Sequence, residues 1–191
     1  MSVNASIMDN TEFVITAPEP YGAELAYKTR ARLTLGALTQ LVAQAKQSLV
    51  IASPFIQPNS GIDSGPLADA LRNALRRGVS VDIVSTGSGL QALDIGDLQR
   101  LSSGRLRLFR SRPNMQDGRR LGSHAKFCIA DSQHAYIGSA NLTTPGLSIN
   151  LEMGLLVHKE LAQQVAEFWE FLLQIGFFVE VSIAENEYKH D

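Results

Sequence analysis

The chain has 191 residues, 45% hydrophobic and 19% charged, with a net charge of −2 at pH 7 and one cysteine. This is the composition of a soluble globular domain with a substantial core. It excludes an internal disulfide and a globally basic nucleic-acid binder. No apolar stretch approaches the ~20 residues a membrane span needs, and Met1–Ala5 lacks the basic and apolar regions of a leader, so a cytoplasmic location without stable membrane association is expected.

In chain order, residues 1–11 are polar and aperiodic and read as a mobile arm, leaving 12–191 as a single domain. Glu12 to Thr16 reads as a short strand. Apolar residues at Ala31, Leu35, Leu38, Val42 and Ala45 predict an amphipathic helix from about Tyr27 to Gln47. Leu49–Ala52 is a buried strand. Asp63-Ser64-Gly65-Pro66 opens a second helix, with Leu67, Leu71, Ala74 and Leu75 inward and Gly78 as its stop. Strands over Val79–Val84 and Leu106–Phe109 flank a helix from Leu90 to Ser102. Further strands are expected over 124–130, His134–Ile137 and Leu151–Val157. A last helix runs from Lys159 to Gln174, with Leu161, Val165, Phe168 and Leu172 on its inner face, and Phe177–Ile183 forms an edge strand. Alternating strands and helices predict an α/β fold, a mixed, mostly parallel sheet flanked by helices.

The chemistry is concentrated in Gly122-Ser123-His124-Ala125-Lys126-Phe127-Cys128-Ile129-Ala130-Asp131 and the following Gly138-Ser139-Ala140-Asn141. These spell His-x-Lys-x4-Asp, then six residues, then Gly-Ser-x-Asn, a set of identities that arises by accident about once in 10^7 to 10^8 starting points. Residues two apart on a strand share a face, so His124 and Lys126 project side by side. An imidazole beside a fixed ammonium suits a phosphate centre, where one group attacks and the other neutralises oxygens. The second strand returns Gly138–Asn141 to this pair, where a hydroxyl and a carboxamide can hold phosphate oxygens.

These residues resemble the HKD signature of the phospholipase D superfamily, whose members cleave phosphodiesters in lipids or nucleic acids. The resemblance implies that His124 is the nucleophile, that Lys126, Ser139 and Asn141 bind phosphate, and that Asp131 is mainly a structural member of the motif. It also implies that Glu152 hydrogen-bonds the nucleophilic histidine; a lone carboxylate there could instead pair with an arginine. The phrase Gly138–Val157 looks most like bacterial nuclease-type members, among them the phospholipase-D-like component of the DISARM phage-defence system. Phe13-Val14-Ile15-Thr16-Ala17-Pro18 and Ser53-Pro54-Phe55-Ile56 extend the similarity upstream. Family members build one site from two motifs. This chain has one, so the resemblance implies a homodimer with a composite site on its two-fold axis.

Between Arg105 and Lys126 lie seven cationic residues against the single Asp117, whereas from Glu160 to Asp191 seven acids face Lys189. The basic block leads into the motif, which marks Arg112, Arg119 and Arg120 as candidate substrate-binding residues; the alternative is a solvated loop. His134, His158 and His190 have no ligand-like spacing with one another or with Cys128, so neither a metal site nor a cofactor is expected. Cys128, Phe127 and Tyr136 read as core residues, and so does Trp169 with Phe168 and Phe171. The leading functional reading is a metal-independent nuclease with a phosphohistidine intermediate, acting on DNA or RNA, with defence-system proteins as possible partners. The alternatives are a catalytically quiet nucleic-acid-binding or assembly subunit and a phospholipid hydrolase.

Overall fold

The structure, a computed structural model, describes residues 10–112 and 122–182. Among these, nine strands form one sheet: β1 (Thr11–Thr16), β2 (Arg32–Leu33), β3 (Ser48–Ala52), β4 (Ser80–Val84), β5 (Leu106–Ser111), β6 (Phe127–Ala130), β7 (His134–Gly138), β8 (Glu152–His158) and β9 (Phe178–Val181). Their order across the sheet is β2-β1-β8-β7-β6-β3-β4-β5-β9. The helices are α1 (Tyr21–Thr29), α2 (Thr34–Gln44), α3 (Pro66–Arg76), α4 (Gly87–Gln91), α5 (Ile95–Leu101) and α6 (Glu160–Gln174), with a π-helical turn over Pro145–Ile149.

The mixed α/β class is as expected, but the sheet is not mostly parallel. Among the described residues, three pairings are parallel (β1 with β2, β3 with β4, β4 with β5) and five antiparallel. Tight turns join β6 to β7, and β8 returns beside β7, so only helix-linked crossovers remain parallel.

Two apolar layers sit on the two sheet faces. On one, Leu49, Ile51, Val81, Ile83, Leu108 and Cys128 pack under α2, α3 and α5. On the other, Val50, Val84, Phe109, Phe127 and Phe178 surround Trp169 of α6, which is 1% exposed and meets Phe109 edge to face at 5.3 Å. Each fully buried side chain of this size contributes about 1.5–3 kcal/mol.

Local chemistry explains where the elements depart from the sequence pattern. The helix expected from Tyr27 begins at Thr34: Arg30 adopts φ 56, and Arg32 and Leu33 pair with Val14 and Ile15 instead. Strand pairing there overrides helical periodicity. The helix expected over Leu90–Ser102 is two, because Asp94 accepts the Asp97 N–H at 2.9 Å and caps a new start. Asn10 and Thr11, assigned to the N-terminal arm, belong to the sheet edge; Asn10 O accepts the His158 N–H and Thr11 pairs with Val157. Ile183, at the end of the expected last strand, lies outside the described residues.

The largest departure concerns α6. Its inner face is Ala162, Val165, Ala166, Trp169, Leu172 and Leu173, so Val165 and Leu172 lie as expected, whereas Leu161 and Phe168 are 40% and 52% exposed, with Phe171 at 57%. The helix is apolar on two flanks, and the sheet covers one of them.

Candidate active site

β6 begins at Phe127, not at residue 124, because β3 ends at Ala52, opposite Phe127, where the chain enters Ser53-Pro54 and proline has no N–H for a further rung. Residues 122–126 therefore extend beyond the sheet rim. The expected juxtaposition survives: Lys126 Nζ lies 3.0 Å from His124 Nδ1 and donates to His124 O at 2.9 Å. His124 is exposed, while Lys126 is only 6% exposed, its stem running beside Cys128, Tyr136 and Leu142. Burial draws the Lys126 ammonium below the ordinary lysine range, and the Glu152 charge opposes that shift.

The far sides of the cluster come from the β7–β8 hairpin. Ser139 follows β7, Glu152 opens β8, and the Ser139 hydroxyl donates to Glu152 Oε2. Glu152 Oε1 accepts from Asn150 Nδ2 at 3.2 Å. Within the protomer the Glu152 carboxylate thus holds Ser139 and Asn150, and the imidazole Nδ1 faces Lys126. Asn141 is set by the π-helical turn: a Cβ on Gly146 would lie 2.8 Å from Asn141 N, so only glycine permits this approach. The Asn141 Oδ1 is buried and, among the described residues, accepts no hydrogen bond.

The structure brings His124, Lys126, Ser139, Asn141 and Glu152 to one rim of the sheet. It does not bring Asp131 there. Asp131 ends β6 at the opposite rim, about 16 Å along the strand from Lys126 at ~3.3 Å per residue, with φ 55. Its carboxylate accepts the backbone N–H groups of Lys46, Gln47 and Ser48 at 2.8–2.9 Å, tying the β6–β7 turn to the start of β3. Burial alone would raise its pKa; those donors outweigh it and hold the group below the ordinary carboxylate value.

Two arginines of the basic block have defined surroundings. Arg107 is committed to Asp82 through bonds of 2.8 and 2.7 Å. Arg112 lies at the site's rim, but its guanidinium sits over Gly176, beyond β5 and β9. Arg119 and Arg120 lie outside the described residues.

Sequence spacing also missed contacts that strand register creates. His134 and His158 are directly opposed on β7 and β8, their Nδ1 atoms 2.7 Å apart, and His158 Nε2 lies 2.9 Å from Glu12 Oε1. Burial, then the charge of His158, lowers the His134 pKa. This cluster is at the rim opposite His124. Among the described residues no group of three or more His, Cys, Asp or Glu is arranged to hold a metal ion. Cys128, 3% exposed, is a core residue whose thiol pKa burial pushes up. At the His124 rim, Phe55 stands edge-on to the imidazole, ring centroids 6.1 Å apart, with nothing in its spacing to announce it.

The rim thus offers a phosphate group an exposed imidazole, a largely buried ammonium, a hydroxyl and a carboxamide, the side chains that phosphodiester chemistry uses. Residues 38–172 match the family described as cardiolipin synthase, PLD-like domain. The chain is 30% identical over 120 residues to cardiolipin synthase B of Salmonella typhimurium, covering 62% of this chain and 27% of that protein. It is 30% identical over 164 residues to the 5'-3' exonuclease PLD3 of Xenopus tropicalis, covering 78% of this chain and 32% of that one. It therefore spans about a third or less of these curated relatives. Among solved structures, NucT from Helicobacter pylori superposes with a TM-score of 0.64 at 19% identity, over 90% of this chain and 99% of that one. Nuc from Salmonella typhimurium, a phospholipase D family member, does so with a TM-score of 0.58 at 16% identity, over 90% and 98%. At these identities the structural likeness is one of fold. The family match covers well over half of the sequence and includes all the motif residues, so the chain belongs to the phospholipase D superfamily.

Proposed function

We propose that this chain is a metal-independent phosphodiesterase acting on nucleic acid, its active site completed by a second copy across a two-fold axis. The observation that carries the reading is the exposed His124 imidazole against the buried Lys126 ammonium, with Ser139, Asn141 and Glu152 on the same rim. In the tautomer with its ring proton on Nδ1, His124 attacks phosphorus through Nε2, and the P–O bond to the leaving oxygen breaks with its electron pair on that oxygen. The same residue of the second copy, as imidazolium, gives that oxygen its proton. Lys126 and Asn141 stabilise the charge on the non-bridging oxygens. The second imidazole then takes a proton from water, whose oxygen attacks phosphorus; the P–N bond breaks, leaving a phosphomonoester and free His124.

The dimer is supported by the uncovered apolar face beside the site. Phe13, Leu155 and Ile137 form one cross-strand row on the α6 face of the sheet, and Met153, adjoining Glu152, is 59% exposed. With the outer flank of α6, Leu161, Phe168 and Phe171, these exposed apolar side chains offer a second copy a surface to cover. A second copy seated there would bring the two His124 rims together.

Nucleic acid is supported by the exonuclease among the relatives, which matches over more of this chain than cardiolipin synthase B does. The cardiolipin synthase matches favour a second reading, phosphatidyl transfer. Labelled single-stranded DNA, duplex DNA, RNA and phosphatidylglycerol, each incubated in EDTA with wild type and His124→Ala, decide between them. Nucleic-acid cleavage that His124→Ala abolishes is the expected result. Turnover of phosphatidylglycerol alone would replace the proposal with the second reading, and binding without turnover of either would leave a nucleic-acid-binding subunit. The role in phage defence rests on the sequence resemblance; phage plating on cells carrying wild type or His124→Ala tests it.

A further inference from the structure

We infer that Phe55 is a base-stacking platform and that the substrate is therefore single-stranded, with an unpaired base laid on the ring beside the scissile phosphate. The inference rests on the nucleic-acid reading above and adds strandedness and a specificity-determining residue to it. Phe55 is 51% exposed, yet the loop that carries it is held by several hydrogen bonds. The Ser53 hydroxyl donates to Phe55 O at 2.8 Å and accepts the Leu142 N–H at 3.1 Å, which fastens the loop to the residue after Asn141. Thr86 Oγ1 donates to Pro54 O at 2.9 Å, and Ile56, 6% exposed, bridges Leu142. A loop free to relax would fold a phenylalanine inward. This one is pinned on both sides so that the ring stays in solvent, edge-on to His124 with centroids 6.1 Å apart.

That separation fits a nucleotide. A phosphorus in attack position sits about 3 Å from the imidazole nitrogen, and its base lies one sugar further out, over the ring. Ser111 and Ser123 stand beside the loop at the mouth of a small recess of about 20 Å³, hydroxyl groups within reach of a phosphate chain passing over it. A paired base already has both faces stacked. Only an unstacked one can offer a face to Phe55.

The test compares two oligonucleotides cleaved at one labelled linkage, one with the flanking base and one abasic there, in single-stranded and duplex form. Stacking of one base predicts that wild type cleaves the base-bearing single strand about 5- to 100-fold more efficiently than the abasic one. Phe55→Ala should bring that ratio close to one, Phe55→Trp should preserve it, and the duplex should be cut poorly. Cleavage with the same ratio in wild type and Phe55→Ala would overturn the stacking role while leaving the nuclease reading intact. Equal cleavage of duplex and single strand would overturn the strandedness. Failure of wild type to cut any oligonucleotide, with phosphatidylglycerol turned over, would overturn both.

Discussion

The aspartate that completes the motif makes a sharp test, because the structure assigns it to stability instead of chemistry. Asp131 lies at the rim opposite His124 and accepts three backbone N–H groups: Lys46 on Oδ2 at 2.9 Å, and Gln47 and Ser48 on Oδ1 at 2.8 and 2.9 Å. Asp131→Asn is the clean perturbation, since asparagine tolerates the left-handed backbone at φ 55, where alanine would add strain. The amide oxygen can keep Gln47 and Ser48, but both bonds lose charge assistance, about 1 kcal/mol each. The amide nitrogen faces the Lys46 N–H, an exposed donor that water can satisfy at a cost below about 1 kcal/mol. The sum is about 2–3 kcal/mol, or about 5–10 °C in Tm for a domain of this size.

Thermal unfolding of wild type and Asp131→Asn from pH 8 to pH 3 reads this out. The folded pKa of Asp131 is depressed, so its contribution is fully present above the unfolded value of about 3.9 and is lost as pH falls through the lower folded value. The Tm gap should be constant near neutrality and close at the acid end. Turnover per folded molecule should match wild type. A variant with wild-type Tm and abolished turnover would refute the assignment and return Asp131 to the chemistry.

Three further outcomes follow from the site. Because burial lowers the Lys126 pKa, kcat/KM should fall on the alkaline side below the ~10.4 of an ordinary lysine, as the ammonium loses its proton; Lys126→Arg should remove that limb at a cost of about 10- to 100-fold in rate, and an unmoved limb would assign it to another group. Glu152→Gln keeps the volume but not the charge that holds Ser139, so folding and dimerisation should persist while turnover drops about 100-fold or more; normal turnover would show the carboxylate dispensable. Wild type mixed with His124→Asn, after verified subunit exchange, should lose activity as the square of the wild-type fraction, whereas a linear decline would mean two independent sites per dimer.

The strands were legible because buried strands carry their signal locally, as in Leu49-Val50-Ile51-Ala52 and Val81–Val84, and α3 because Pro66 and Gly78 mark its ends. What was hidden depends on partners distant in the chain. Nothing between Tyr27 and Leu33 announces that Arg32 and Leu33 pair with β1, and without that pairing the helix reads as continuous. The two apolar flanks of α6 blur into one stripe in a helical projection. Of the expected stripe, Val165 and Leu172 pack against the sheet with Trp169, whereas Leu161 and Phe168 face outward. Leu161 and Phe168 are then part of the outward surface on which the proposed dimer rests.

The site shows the same division between local and distant information. Spacing placed His124 beside Lys126 because two residues on one extended segment need no partner to share a side. Glu152 is different: whether it faces that pair depends on the register of β8 against β7, and a slip of one residue would turn it to the opposite face. The structure shows what fixes the register. Gly138 and Gly154 are directly opposed, and the Tyr136 ring lies over both; a Cβ on Gly154 would stand 2.6 Å from the ring, and one on Gly138 would collide with the phenol. After a one-residue slip, Met153 or Leu155 would replace Gly154 beneath that ring. Tyr136, 2% exposed and with its phenol pushed up to about 12 by burial, is a fixed core wedge instead of a reactive group. Paired with Gly154, the motif glycine Gly138 therefore seats the wedge that keeps Glu152 on the Lys126 side of the sheet.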